Sequence, residues 1–384
     1  MSAGSLRRRA GRAARSALIG AVALGAVAAA AGAALAQTGR GGFDHDGLAR
    51  QVLERHIRPL YADLVDATEK LRSALEDGCK RREAKDGDAI KAGFRRTVLA
   101  WSRVEHLHFG PAIEGNRAER VMFWPDRQKI GERQVGQLLA KGDPSALAAD
   151  ELGKKSVAVQ GLTALEVVLY GKVGESLLAD TPEAKYACGY ATAIGGNLAA
   201  ITKDISAAWG EGGSFTELWL KPGDQNPLYK AANGPTFELL KAYRQGINIP
   251  REIKLLPALG LKRTGVGGPF APKSKPPFEL SGLSLASIIA NTESALDLYD
   301  KGGFAERLTA TEPETAKQIK ADLLTVLAGL REVEPSGAAA FSDKVLSDKL
   351  ASVREPFVSA LIAGGEALAT EAGMVLGFTD ADGD

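Results

Sequence analysis

The segment Gly161-Leu162-Thr163-Ala164-Leu165-Glu166 has the spacing of a helix-borne metal pair, with one donor replaced. Residues three apart on a helix share a face, so side chains at 163 and 166 can address one ion or ligand. A carboxylate from Glu166 suits zinc or iron, whereas Thr163 offers no imidazole nitrogen and its hydroxyl is a poor ligand for either metal. Glu166 lies among Leu162, Leu165, Val167, Val168 and Leu169 and is expected to be buried. A buried carboxylate is costly unless a cation, a hydrogen-bond donor or a metal sits beside it. If the role is structural, Arg103 and Arg127 are the candidate cations.

A second constellation is Trp101-Ser-Arg-Val-Glu105-His106-Leu-His108-Phe109-Gly110-Pro111. On a helix running to Phe109, Trp101, Glu105 and His108 occupy neighbouring positions and His106 is turned away. Glu105, a histidine from 106 or 108, and Glu166 would make a set of two carboxylates and one imidazole, with a coordination position open for water. The plainer alternative is a helix end at which a protonated histidine complements the C-terminal dipole. Phe123-Trp124-Pro125-Asp126-Arg127 is either an aromatic plug for a loop or the wall of a pocket, with Arg127 facing an anion. Other chemistries lack their residues. The chain has four histidines, no His-Glu-x-x-His, and a single Glu-x-x-His at 105–108, too few for a zincin or a di-iron bundle. A P-loop and a nucleophile elbow are also missing.

The elements that must position these residues read as helices. Leu48, Val52, Ile57, Leu60, Leu64, Ala67, Leu71 and Leu75 form one apolar stripe, dented at Pro59. A second helix is predicted over about 88–109, stopped by Gly110-Pro111. Shorter ones follow near 131–139 and 154–170. Thr181-Pro182-Glu183 is a helix start, with threonine as N-cap and proline at the first position, for a helix to about Trp209. Between 210 and 277 glycine and proline recur, and 261–278 is basic and loop-like. Helical periodicity resumes at Ser281, with further helices near 312–330, 343–350 and 353–372. No strand-like alternation persists. The fold class expected is all-α, in two helical-bundle domains.

The first 36 residues read as a signal peptide. A basic stretch holding Arg7, Arg8, Arg9, Arg12 and Arg15 precedes an apolar run from Ala17 to Ala31 and an Ala34-Leu35-Ala36 cleavage site. Gln37 stands where a lipoprotein needs cysteine. Taking those five arginines from 48 basic residues leaves 43 against 47 acidic ones, a net charge of −4. That balance carries no footprint for nucleic acid or an anionic membrane. Cys79 and Cys188 both follow the cleavage site, and in an oxidising compartment they either pair or remain as two thiols.

Taken together, these segments resemble the imelysin-like family of exported bacterial proteins. Trp101-x-x-x-Glu105-His106 running into Phe109-Gly110-Pro111 is similar to the family's first block, and Phe123-Trp124-Pro125-Asp126 to its second. Gly161-x-Thr163-x-x-Glu166 resembles its Gly-x-His-x-x-Glu block. Ser281-Gly-Leu-Ser-Leu-Ala with Asn291 resembles a later block, and Leu376-Gly377-Phe378 with Asp382-Gly383-Asp384 the family's ending. The resemblance implies two bundles related by a diverged duplication with a site at their interface. It also implies a periplasmic or envelope location and a part in iron uptake. The domains expected are 37–245, a Gly/Pro-rich linker at 246–280, and 281–384. Some family members are metallopeptidases, with the motif histidine and glutamate as presumed ligands. With Thr163 at the histidine position, the leading expectation is a non-catalytic protein that binds a metal ion or a small ligand. The metal would be divalent, iron or zinc, held by Glu105, His106 or His108, and Glu166. Thr163, Trp101, Trp124 and Arg127 would line the site. The alternatives are a metallopeptidase with a degenerate zinc site and a docking module for an envelope iron-transport protein.

Overall fold

A computed structural model of the chain describes residues 42–126, 128–262 and 273–374, and residues Asp44–Asp384 form one compact unit. The predicted signal peptide, Arg127, most of the basic Gly/Pro-rich stretch and the C-terminal block lie outside the described residues. Among the described residues the fold is all-α, with no strand.

Among the described residues, twelve α-helices of eight residues or more build it. They are α1 His45–Val52, α2 Arg58–Arg81, α3 Ala84–Val104, α4 Ile130–Lys141, α5 Leu162–Tyr170 and α6 Pro182–Trp209. Then come α7 Asn233–Asn248, α8 Ser284–Asp300, α9 Phe304–Thr311, α10 Pro313–Val333, α11 Lys344–Ser352 and α12 Arg354–Glu371. The N-terminal core is the α2 stripe packed on α3 and α6, burying Leu64, Ala67, Leu71 and Leu75. The C-terminal core sets α10 on α12, with α7 packed on α12 and α8, and α8 on α10. Helix α8 also packs directly on α3.

Local rules explain most boundaries. Thr181 caps α6 by accepting the Ala184 N–H at 3.2 Å, and Pro182 fills the first turn, where its missing N–H costs nothing. Glu83 and Asp86 close a capping box at the start of α3. Pro59 does not divide its helix; it occupies the first turn of α2, behind a π-helical turn at Leu53–Ile57. The expected linker differs most from what is observed. Residues 249–255 continue α7 as a second π-helical segment, followed by a short helix at Leu256–Leu259. Pro250 and Pro257 each fall where the type of turn changes, at the start of the π-helical segment and of the short helix, so they do not end the helical run.

Cys79 of α2 and Cys188 of α6 form a disulfide, with their Cα atoms 5.7 Å apart. The bridge spans 109 residues of sequence and so removes much freedom from the unfolded chain. Replacing both cysteines by serine should lower unfolding stability by about 2–4 kcal/mol. Urea titrations of wild type, with and without reductant, and of the double variant would measure it. Coincident curves would refute the expectation.

Candidate functional site

Helix α3 ends at Val104, five residues short of the sequence expectation, and this decides where its histidines go. A tight turn follows, in which the Leu107 N–H donates to the Val104 carbonyl at 2.8 Å. Off the helix, His106 turns inward and is buried, whereas His108 is exposed, 3.9 Å from Glu119. The helical phasing that placed His108 beside Glu105 therefore does not hold.

The C-terminal carbonyls of α3 have no partner within their own helix and must find donors elsewhere. A polar stripe on α8 supplies them. Asn291, Ser294 and Asp297, spaced by three, lie along one side of this helix. Asn291 Nδ2 donates to the Ser102 carbonyl at 2.6 Å, and Ser294 Oγ to the Arg103 carbonyl at 2.6 Å. Glu105 completes the arrangement: its Oε2 accepts from Lys254 Nζ at 2.6 Å and from Asn291 Nδ2 at 3.0 Å. Lys254 Nζ also donates to Asn291 Oδ1 at 2.8 Å, and its side chain is fully buried.

Asp297 carries the stripe to a pair of histidines. His56 Nδ1 lies 2.9 Å from Asp297 Oδ2, and His56 Nε2 lies 3.0 Å from His106 Nε2. With Asp297 ionised, His56 donates through Nδ1, so its Nε2 accepts from the His106 Nε2–H. Among the described residues His106 Nδ1 has no hydrogen-bond partner of normal geometry, although the Arg103 backbone lies beside the ring. Burial depresses both imidazoles, outweighing Asp297 at His56, and His106 is lowered further by its neighbour His56. Both His56 and Lys254 lie on the π-helical segments, where the wider turn changes which side chains face inward.

Glu166 lies elsewhere, on α5. Its Oε1 accepts the Ser281 N–H at 2.8 Å and the Ser281 hydroxyl at 2.7 Å. Ser281 is presented by a turn in which Phe278 and Gly282 both adopt positive φ. Phe278 is buried and meets Phe94 of α3 edge-on. Burial raises the Glu166 carboxyl above its ordinary range, against the opposing pull of the Ser281 hydrogen bonds. Beside this turn is a cavity of about 30 Å³, bordered by Glu279, Gly282, Ser284 and Leu285, with room for a water rather than an organic ligand. Gly161 starts α5 at φ +87, and a Cβ there would come within 2.4 Å of the Arg120 and Val121 carbonyl oxygens. Only glycine allows that approach.

The imelysin family model matches residues 57–356. The chain belongs to the imelysin family. It is similar in fold to an imelysin-like protein from Psychrobacter arcticum 273-4, with a TM-score of 0.70 at 20% identity over 87% of this chain and 97% of that one. It is also similar to the "putative iron-regulated protein A precursor" of Parabacteroides distasonis ATCC 8503, with a TM-score of 0.68 at 13% identity over 86% and 97%. No curated protein matches the chain.

Within this imelysin fold the expected metal donors are separated rather than gathered. Glu105 is engaged by Lys254, His106 by His56, and Glu166 by Ser281, while His108 faces solvent. Among the described residues no group of three or more His, Cys, Asp or Glu is placed to hold a metal ion. The donor set Glu105, His106, His108 and Glu166 therefore does not fit iron or zinc. Of the two cations considered for Glu166, Arg103 pairs instead with Glu293 at 2.7 Å, and Arg127 lies outside the described residues. Trp101 is buried in α3, and the half-buried Thr163 makes no hydrogen bond within the described residues. The indole nitrogens of Trp101 and Trp124 are buried and have no acceptor among the described residues. In the second block it is Asp126 that has a clear task, receiving the first two N–H groups of α4, from Ile130 at 2.8 Å and Gly131 at 2.7 Å.

Sequence reasoning missed His56, Lys254 and Asp297 as parts of this arrangement. A partial signal for Asp297 was present, since Asn291, Ser294 and Asp297 recur at intervals of three, but the other polar residues of the same helix mask it.

Two expectations concern pH. The native His56–His106 pair is held neutral while the unfolded chain takes up protons below about pH 6.5. Its stabilisation is therefore complete above that pH and is lost as pH falls through the depressed native values. Urea stability should decline from pH 7 to pH 5, and His106→Gln should flatten the slope while costing stability at pH 7. An unchanged slope would show that the pair is not responsible. Glu166 has the opposite sign, because its raised native pKa gives stability that is lost as pH rises from the ordinary carboxylate range. Glu166→Gln keeps an acceptor for Ser281 without the charge, and should unfold at equal or higher urea concentration than wild type at pH 7. A loss above about 1 kcal/mol would mean that the charge itself is needed.

Proposed function

We propose that this imelysin-family chain is an exported, non-catalytic binding protein that serves bacterial iron uptake by taking a small ligand. One observation carries the reading. At the motif where a histidine and a glutamate would supply metal donors, the chain has Thr163, and Glu166 is occupied as an acceptor for Ser281 from 115 residues away. The glutamate works as a tie between α5 and the turn before α8. Its burial favours the uncharged acid, the opposite of what a metal-bound carboxylate requires.

Export is supported by the basic and apolar N-terminal pattern with its Ala-x-Ala site and by the word precursor in the description of one structural relative. Among the described residues, no helix is long and apolar enough to cross a membrane. The link to iron rests on the iron-regulated description of that same relative.

The purified protein, incubated with unfolded protein substrates and added zinc or ferrous iron, should give no cleavage above a buffer control. A cleavage that chelator abolishes and Glu166→Gln removes would establish a metallopeptidase and overturn the proposal.

A further inference from the structure

An open cleft of about 480 Å³ is lined by Arg120, Ala149, Asp150, Lys154, Asn197 and Ala200. Its arginine is held in an unusual way. Arg120 Nε donates to Gln160 Oε1 at 3.0 Å, and its Nη2 donates to Asn197 Oδ1 at 2.9 Å. Both acceptors are neutral amides, and both residues are buried, Gln160 wholly and Asn197 to 4% exposure.

The amides cannot turn round. Gln160 Oε1 also accepts from Asn197 Nδ2 at 3.0 Å, and Gln160 Nε2 donates to the Lys155 carbonyl at 2.9 Å. The network fixes the guanidinium plane without neutralising its charge. Among the described residues no carboxylate forms an ion pair with Arg120. Asp204 offsets it only at longer range, and burial and Arg117 both act against the charge. Gly153 closes the cradle, since a Cβ there would lie 2.9 Å from Arg120 Nη2. Nε and one Nη2 hydrogen are used, so Nη1 and the second Nη2 hydrogen remain to donate into the cleft. Paired guanidinium N–H groups match the two oxygens of a carboxylate or phosphoryl group. Lys154 adds a second cation at the rim, partly satisfied by Glu151 at 2.6 Å, and the exposed Asp150 limits how much negative charge the cleft accepts.

The geometry points to this cleft as a binding site for a small oxyanion, a carboxylate or phosphoryl compound whose charged group docks on the Arg120 guanidinium. Its biological use rests on the binding-protein reading above; its chemistry does not. Gln160 and Asn197 act as positioning residues, and Gln160 directly precedes the glycine that seats α5 against Arg120. The same step of chain thus serves both the Glu166 tie and the cleft.

The test is calorimetric titration of the purified protein with citrate and, separately, with inorganic phosphate, at low ionic strength. Saturable binding of at least one probe is expected, weakened at least tenfold by Arg120→Lys, whose ammonium cannot keep both amide contacts and still present a fork. Ala200→Glu sets a carboxylate in the exposed lining without touching the amide network, and should abolish binding while leaving the melting temperature unchanged. Tighter citrate than phosphate assigns a carboxylate ligand, and the reverse a phosphoryl one. No saturable heat with either probe, or binding undiminished in Ala200→Glu, overturns the site. The peptidase assay run on the same Ala200→Glu protein reports separately on the function proposed above, because that assay involves neither Arg120 nor Ala200.

Discussion

The end of α3 is the constraint on which the rest of the structure depends. Its last carbonyls and the Glu105 carboxylate are set inside the protein, where polar groups left without partners cost several kcal/mol. Asn291, Ser294 and Lys254 answer them from segments about 150–190 residues later. Removing one member of the Lys254–Glu105 pair would strand a charge in a poorly solvated place, at a cost of about 3 kcal/mol or more. That penalty makes the docking of α8 onto α3 specific, since an apolar contact alone would tolerate sliding. The π-helical segments belong to the same constraint, because each delivers one buried polar side chain, His56 or Lys254.

The Glu166–Ser281 contact repeats this logic on another helix. Again a polar group from the first half is satisfied by a segment far along the chain, and again the distant partner belongs to a block similar to the family pattern. In this chain the blocks around Glu105 and Glu166 thus meet the block that begins at Ser281 and ends at Asn291. Their residues are engaged in joining segments, and each has its own partners. At these positions the chain holds its helices together. The exposed chemistry lies one step away, where Gln160 fixes Arg120 at the edge of a cleft.

Much of this was legible before any coordinates. The apolar stripe of α2, the threonine and proline that open α6, and the buried character of Glu166 follow from periodicity and capping, which depend on neighbours in sequence. The extent of α3 was misjudged by a few residues, and that small error exchanged the roles of His106 and His108. Residues 246–259 were misread for a related reason, since proline ends one turn and begins another with equal ease. The Cys79–Cys188 bridge could be named as a pair but not decided, because its formation depends on α2 and α6 coming together.

By itself the sequence determined the all-α class, most helix starts, the imelysin resemblance and the presence of Thr163 three residues before Glu166. Each is a property of residue type and short spacing. Only the tertiary structure decided that Glu105 faces Lys254, that His106 faces His56, and that Glu166 faces Ser281. The same carboxylates and imidazoles can ligate a metal or satisfy one another, and local sequence does not distinguish the two. The choice belongs to whichever partner the folded chain brings within about 3 Å, since a hydrogen bond or ion pair weakens steeply beyond that reach.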